Sequence, residues 1–239
     1  MNSSKNHPRL RTVLLGIALA LGLGVAAGAR VHAQNLTPNP ATAGLWVGEV
    51  TLAEVLHSAG ATNAPTADSS QLRILLHVGA QGEVRLLKEA IVAKRVPASS
   101  ANVIIFTDPA ALALAPGLLR QGGRVIAQRI ASVAYDFAGF EAPLNGGIGQ
   151  GFRCEGQLTL PANHPTNPFL HRFHPDHSTG LEIIRTVAMR FTQPIGQFNG
   201  IDRLAGEYQE TLTGLSRAPL TVRGSVVLNR VSPYAQLNR

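Results

Sequence analysis

Apolar and polar residues alternate with a period of two through most of this chain. Phe152, Cys154, Gly156, Leu158 and Leu160 interleave with Arg153, Glu155, Gln157 and Thr159, the signature of a strand with one buried face. Within residues 181–193, Ile183, Val187, Met189 and Phe191 share one face and Glu182, Thr186 and Arg190 the other, with Arg185 on the apolar side. Leu72, Ile74, Leu76 and Val78 lead through a short turn at 79–82 into a second long strand over 83–95, a hairpin pattern. His77 projects from the less apolar face of the first of these, with no partner indicated. Residues 45–52, 102–107 and 125–137 read as further strands, and 207–212 with 220–231 as a terminal hairpin. Asp108 as N-cap and Pro109 at the first helical position open a short helix to about residue 115. The glycine-rich turn at 145–151 runs into a strand and no lysine follows it, so it is not a phosphate loop. Roughly nine strands and one short helix predict an all-β protein, either a single antiparallel sandwich or a closed barrel.

The first 33 residues change the reading of charge and location. Lys5, Arg9 and Arg11 precede an apolar and glycine run at 13–25, and Val31-His32-Ala33 is a small-x-small cleavage site, together the pattern of a secretory signal peptide. The run is shorter than the ~20 residues a membrane-spanning helix needs. The expected organisation is a signal peptide at 1–33, an extended lead-in at 34–43 and a single all-β domain at 44–239. The expected destination is the periplasm, the outer surface or the medium. Without the leader's four basic residues the net charge falls from +7 to +3. The remaining arginines are dispersed, so no basic run marks a nucleic-acid groove and no nucleic-acid partner is expected. Cys154, the one cysteine, excludes an internal disulfide and falls on the apolar side of its strand, where it packs as a small hydrophobe.

Candidate chemistry concentrates in the loop at 161–180. Four of the chain's eight histidines, His164, His171, His174 and His177, fall within fourteen positions, with Asp176 among them. Imidazole is the commonest metal ligand, so His171, His174, His177 and Asp176 are the candidate ligands for a divalent ion such as zinc. Pro175 disfavours helix at His174, and an extended path would separate His171 from His177 by about 18 Å at ~3.1 Å per residue. Convergence on one ion therefore requires a turn at Pro175-Asp176, or a pair of these residues with His164. No zinc-hydrolase signature is present, nor a Gly-x-Ser-x-Gly nucleophile elbow. Glu207 and Glu210 face opposite ways on a strand and read as a solvated face rather than an acid/base pair. Trp46 in Gly44-Leu45-Trp46, with Arg223 and Arg230 on the last strand, follows the calycin pattern in which an arginine covers a tryptophan at the end of a ligand barrel.

Gly44-Leu-Trp-Val-Gly-Glu-Val, Asn167-Pro-Phe-Leu-His-Arg-Phe-His-Pro-Asp-His and Gly206-Glu-Tyr-Gln-Glu-Thr-Leu-Thr-Gly-Leu together resemble an uncharacterised β-rich domain of secreted bacterial proteins. The resemblance spans most of residues 44–231 and implies export and one continuous fold. That family often continues the last histidine with Asp-Asn, where this chain has Ser178-Thr179 and so lacks two oxygen ligands. The expected function is a non-catalytic binding or structural module of the cell surface or periplasm, with a cell-envelope or small-molecule ligand. Two alternatives stand beside it: a metal-binding protein, including a zinc hydrolase, built on the histidine loop, and a calycin-like barrel for a small apolar ligand.

Overall fold

A computed structural model describes residues 37–57, 66–67, 70–94, 103–115, 117–132, 136–169, 180–191 and 202–239. All of them lie within one unit, Ala33–Arg239. The strands are β1 (Gly44–His57), β2 (Thr66–Ala67), β3 (Gln71–Val78), β4 (Val84–Leu87), β5 (Glu89–Lys94), β6 (Val103–Phe106), β7 (Leu118–Gln121), β8 (Arg124–Ala131), β9 (Glu141–Gly146), β10 (Arg153–Leu160), β11 (Ile183–Arg190), β12 (Arg203–Thr213), β13 (Leu220–Ser232) and β14 (Leu237–Asn238). Helix α1 (Pro109–Leu114) follows β6, with Asp108 accepting a hydrogen bond from the Ala111 N–H at 2.7 Å.

The all-β fold takes the form of a closed barrel. Strands β1, β3, β4, β9, β10, β11, β12 and β13 pair in that order, all antiparallel, and β13 returns to pair with β1. A second, five-stranded sheet of order β14-β6-β5-β8-β7 is built from the excursion between β4 and β9 and from the C-terminal end. The strand expected over 83–95 is split at Lys88, whose N–H donates to the Phe140 carbonyl and whose own carbonyl accepts from Ser132. There the chain leaves the barrel for the second sheet. Strands β2, β7, β9 and β14 carry no alternation strong enough to announce them. β7 is exposed throughout and β9 contains Pro143, a residue that argues against a strand interior.

Alternation fills the lumen. Trp46, Val50, Ile74, Leu76, Leu86, Leu144, Cys154, Leu158, Val187, Met189, Tyr208, Val226 and Leu228 form one continuous buried cluster. A smaller core of Leu45, Leu75, Leu87, Ala90 and Ile105 joins the outer wall of β1, β3 and β4 to the second sheet. β3 is therefore buried on both faces, which explains its unbroken apolar run Ile74-Leu75-Leu76.

His77 projects from that outer face, the less apolar one of its strand as expected, and the face is covered, leaving the residue 2% exposed. Its Nε2 lies 3.3 Å from the Tyr234 carbonyl in the C-terminal segment. Burial pushes its pKa down from 6.5 to about 4, against the smaller opposing pull of the Tyr234 carbonyl and of Glu83. The unfolded chain thus binds a proton that the folded chain refuses, and stability is lost as pH falls from 6.5 towards 4. The expected loss is roughly 3 kcal/mol. Urea titrations at pH 7 and pH 4.5 should show this step in the wild type and a smaller one in His77→Gln.

Candidate functional site

The register of the strands sorts the barrel into two ends. At one, β1 begins at Gly44 opposite the end of β3 at Val78 and the end of β13 at Ser232. A 3₁₀ turn, Pro40–Thr42, lies against this end, with Asn39 Nδ2 donating to the Ile148 carbonyl at 2.8 Å. Trp46 is fully buried beneath it and donates from Nε1 to the Thr42 carbonyl at 2.7 Å. The Arg230 guanidinium stands 5.9 Å from the Trp46 ring centroid, and its Nη2 donates to the Ala43 carbonyl. Of the two arginines considered for this role, Arg230 covers the tryptophan and Arg223 faces outward, exposed.

The opposite end carries the connection between β10 and β11, which includes the histidine loop. His171, His174, Asp176 and His177 lie outside the described residues. The neck of the loop is described. Asn167 is buried, and its Nδ2 donates to the carbonyls of Pro161 at 3.0 Å and Leu181 at 2.7 Å, tying the outgoing and returning strands together. The Gly180 N–H closes the same neck on the Ala162 carbonyl at 2.8 Å. A Cβ at Gly180 would stand 2.6 Å from Asn167 Oδ1, so the neck requires glycine there.

His164 sits in this neck at the end of a polar chain. Lys88 Nζ donates to Asp136 Oδ1 at 2.8 Å and to the Phe137 carbonyl at 2.7 Å. Thr166 Oγ1 donates to Asp136 Oδ2, and His164 Nδ1 lies 2.9 Å from the same hydroxyl. Burial works to raise the Asp136 carboxyl, but the bonds from Lys88 and Thr166 outweigh it and hold the group below its ordinary range. The contacts of the ring with Thr166 are both made through Nδ1, which lies within reach of the hydroxyl and of the backbone N–H. The backbone N–H of Thr166, at 3.4 Å from Nδ1, is the weaker contact. This arrangement orients an imidazole through a carboxylate, as second partners of metal-bound histidines do. Among the described residues no three His, Cys, Asp or Glu side chains gather closely enough to hold an ion.

Inside the barrel, just below this mouth, lies a polar group that sequence reasoning placed elsewhere. Glu210 is 2% exposed. It accepts from Tyr208 Oη at 2.7 Å and pairs with Arg185, which reaches it across the β11–β12 ladder. The expectation of a solvated face holds for Glu207, which is exposed, and fails for Glu210. Glu210 has the parity of Tyr208 and Leu212 and so must point inward. Arg185 is on the lumen side, as its strand's alternation predicts. Cys154 is fully buried in the lumen, and desolvation pushes its thiol up to about 12, so it is no nucleophile. Compared with known protein families and with characterised proteins, the chain matches none of them.

Proposed function

We propose that this chain is an exported, non-catalytic binding module, a closed barrel that serves as a rigid scaffold in the periplasm or at the cell surface and engages a cell-envelope ligand through its exterior. One observation carries this reading: the described lumen side chains form one continuous buried cluster, and the Glu210 carboxylate inside it is committed to Arg185 and Tyr208. Glu210 is satisfied by Arg185 and Tyr208, and Cys154 is held as a thiol. Leu76, Val187, Met189 and Tyr208 pack within one buried cluster inside the barrel, which favours exterior binding over a calycin-like lumen site. The test takes the mature chain through ester, phosphoester and glycoside substrates and through a titration with N-phenylnaphthylamine. The expected result is no turnover and no saturable dye binding. Turnover abolished by His174→Ala, or saturable dye binding that quenches Trp46, contradicts the reading.

A second reading rests on His164. Its Nδ1 is engaged by Thr166, whose hydroxyl is in turn held by Asp136, and on this reading its Nε2 would serve a divalent ion together with His171, His174, Asp176 and His177 of the loop. Zinc measured on protein purified without chelator decides it. About one ion per chain, lost in His164→Ala and reduced in Asp136→Asn, supports it, and less than about a tenth of an ion per chain rejects it. The coordination would follow the ordinary zinc preference for nitrogen and oxygen donors.

A further inference from the structure

Arginines that are scattered in the sequence meet on the outer wall of the barrel. Arg153 on β10, Arg190 on β11 and Arg223 on β13 line one groove of about 470 Å³, together with Glu207 and Gln209 of β12. Small residues, Ala188 and Gly224, make its floor. Arg153 stands directly opposite Arg190 in the ladder, and like charges in that position are destabilising. Arg153 is paired with Glu155. Arg190 and Arg223 are exposed and form no ion pair with another described residue, although Arg190 stands opposite Glu207 and Arg223 opposite Glu54 in the ladders. The wall therefore gathers three guanidinium groups around one concavity, of which Arg153 alone is held in an ion pair among the described residues, so Arg190 and Arg223 keep donors to offer a bound anion.

We propose that this groove binds an acidic glycan, a carbohydrate bearing carboxylate or sulfate groups. Guanidinium groups bind planar oxyanions through paired hydrogen bonds. From β10 to β13 the arginines span three strand spacings, about 14 Å, so they suit a ligand with at least two anionic groups rather than one small ion. Between them, Glu207 accepts and Gln209 accepts and donates hydrogen bonds, which fits sugar hydroxyls, and Glu207 repels a densely charged chain. No aromatic face from the described residues lines the groove to stack a base, because the Tyr208 ring points into the lumen. The proposal rests on the non-catalytic binding reading and names its ligand class.

The experiment is isothermal titration of the mature chain with oligogalacturonate, with a heparin-derived hexasaccharide, with neutral cellohexaose and with inorganic phosphate. Binding to at least one acidic glycan and none to cellohexaose is expected, with at least a tenfold loss of affinity in Arg190→Gln/Arg223→Gln. Both positions are exposed, so the variant should keep the wild-type melting temperature. Preference for oligogalacturonate identifies carboxylate as the recognised group, and preference for the hexasaccharide identifies sulfate. No binding to either glycan, unchanged binding by the double variant, or equal affinity for phosphate overturns the proposal. Mass spectrometry of the recovered glycan separates the two layers. Intact glycan leaves the non-catalytic reading standing whatever the affinities, whereas shortened products overturn that reading.

Discussion

Arg185→Ala will destabilise the protein by about 3–5 kcal/mol, the cost of leaving a buried carboxylate without its partner. Glu210 is 2% exposed inside the barrel and has two side-chain donors, Arg185 and Tyr208. Removing the guanidinium leaves only the Tyr208 hydroxyl to hold the charge. The partner experiment replaces both members. Arg185→Leu with Glu210→Leu removes two buried charges and should recover most of that loss, since apolar replacement of a buried pair is often neutral or better. Tyr208→Phe deletes a single hydrogen bond to a charged acceptor and should cost about 1.5–3 kcal/mol. Urea midpoints at constant m-value rank the three variants. A double variant no more stable than Arg185→Ala would mean that the pair is not buried as described.

Trp46→Ala should cost about 3–5 kcal/mol, the range for deleting the largest core side chains. Three separate contacts go with the indole. The ring leaves the lumen cluster, the Thr42 carbonyl loses its 2.7 Å donor, and the Arg230 guanidinium loses the face it covers. The last two join β1 to the 3₁₀ turn and to β13, so the damage should concentrate where the barrel closes. Trp46→Phe keeps a ring and loses the N–H, and should cost less than half as much. Hydrogen exchange of the β1–β13 ladder checks the location: amides near Leu228 and Arg230 should lose protection before those of β10 and β11.

Much of this architecture is written in the alternation. β10 and β11 match the pattern residue by residue, and the β12–β13 hairpin and the Asp108-Pro109 helix start were legible because local chemistry alone specifies them. The pairing of Trp46 with Arg230 was legible as a motif. What escaped depends on non-local contacts. His77 is buried because a segment 157 residues further on lies across it, and no local pattern announces that cover. The break at Lys88 had a local sign, since Leu86-Leu87 and Ala90-Ile91 disturb the period of two, but its meaning required the second sheet. Glu210 was readable from parity with Tyr208 and was obscured by its neighbour Glu207. The arginines of the outer groove are far apart in sequence, at 153, 190 and 223, and only the barrel brings them to one wall. Asn167 opens the Asn-Pro-Phe stretch before the histidines, and its buried amide ties the neck of the loop, a role that no local pattern announces.

The central claim is that a filled barrel leaves binding to its outer wall, and one measurement addresses it directly. Trp46 is the only tryptophan, so its indole N–H gives a single resolvable signal inside the lumen. A heteronuclear NMR titration with the acidic glycan that binds should shift Arg190, Arg223, Gln209 and their neighbours on β10–β13 and leave the Trp46 indole signal in place. A shift of that indole signal, with the outer-wall residues unmoved, would put the ligand inside the barrel and contradict the account.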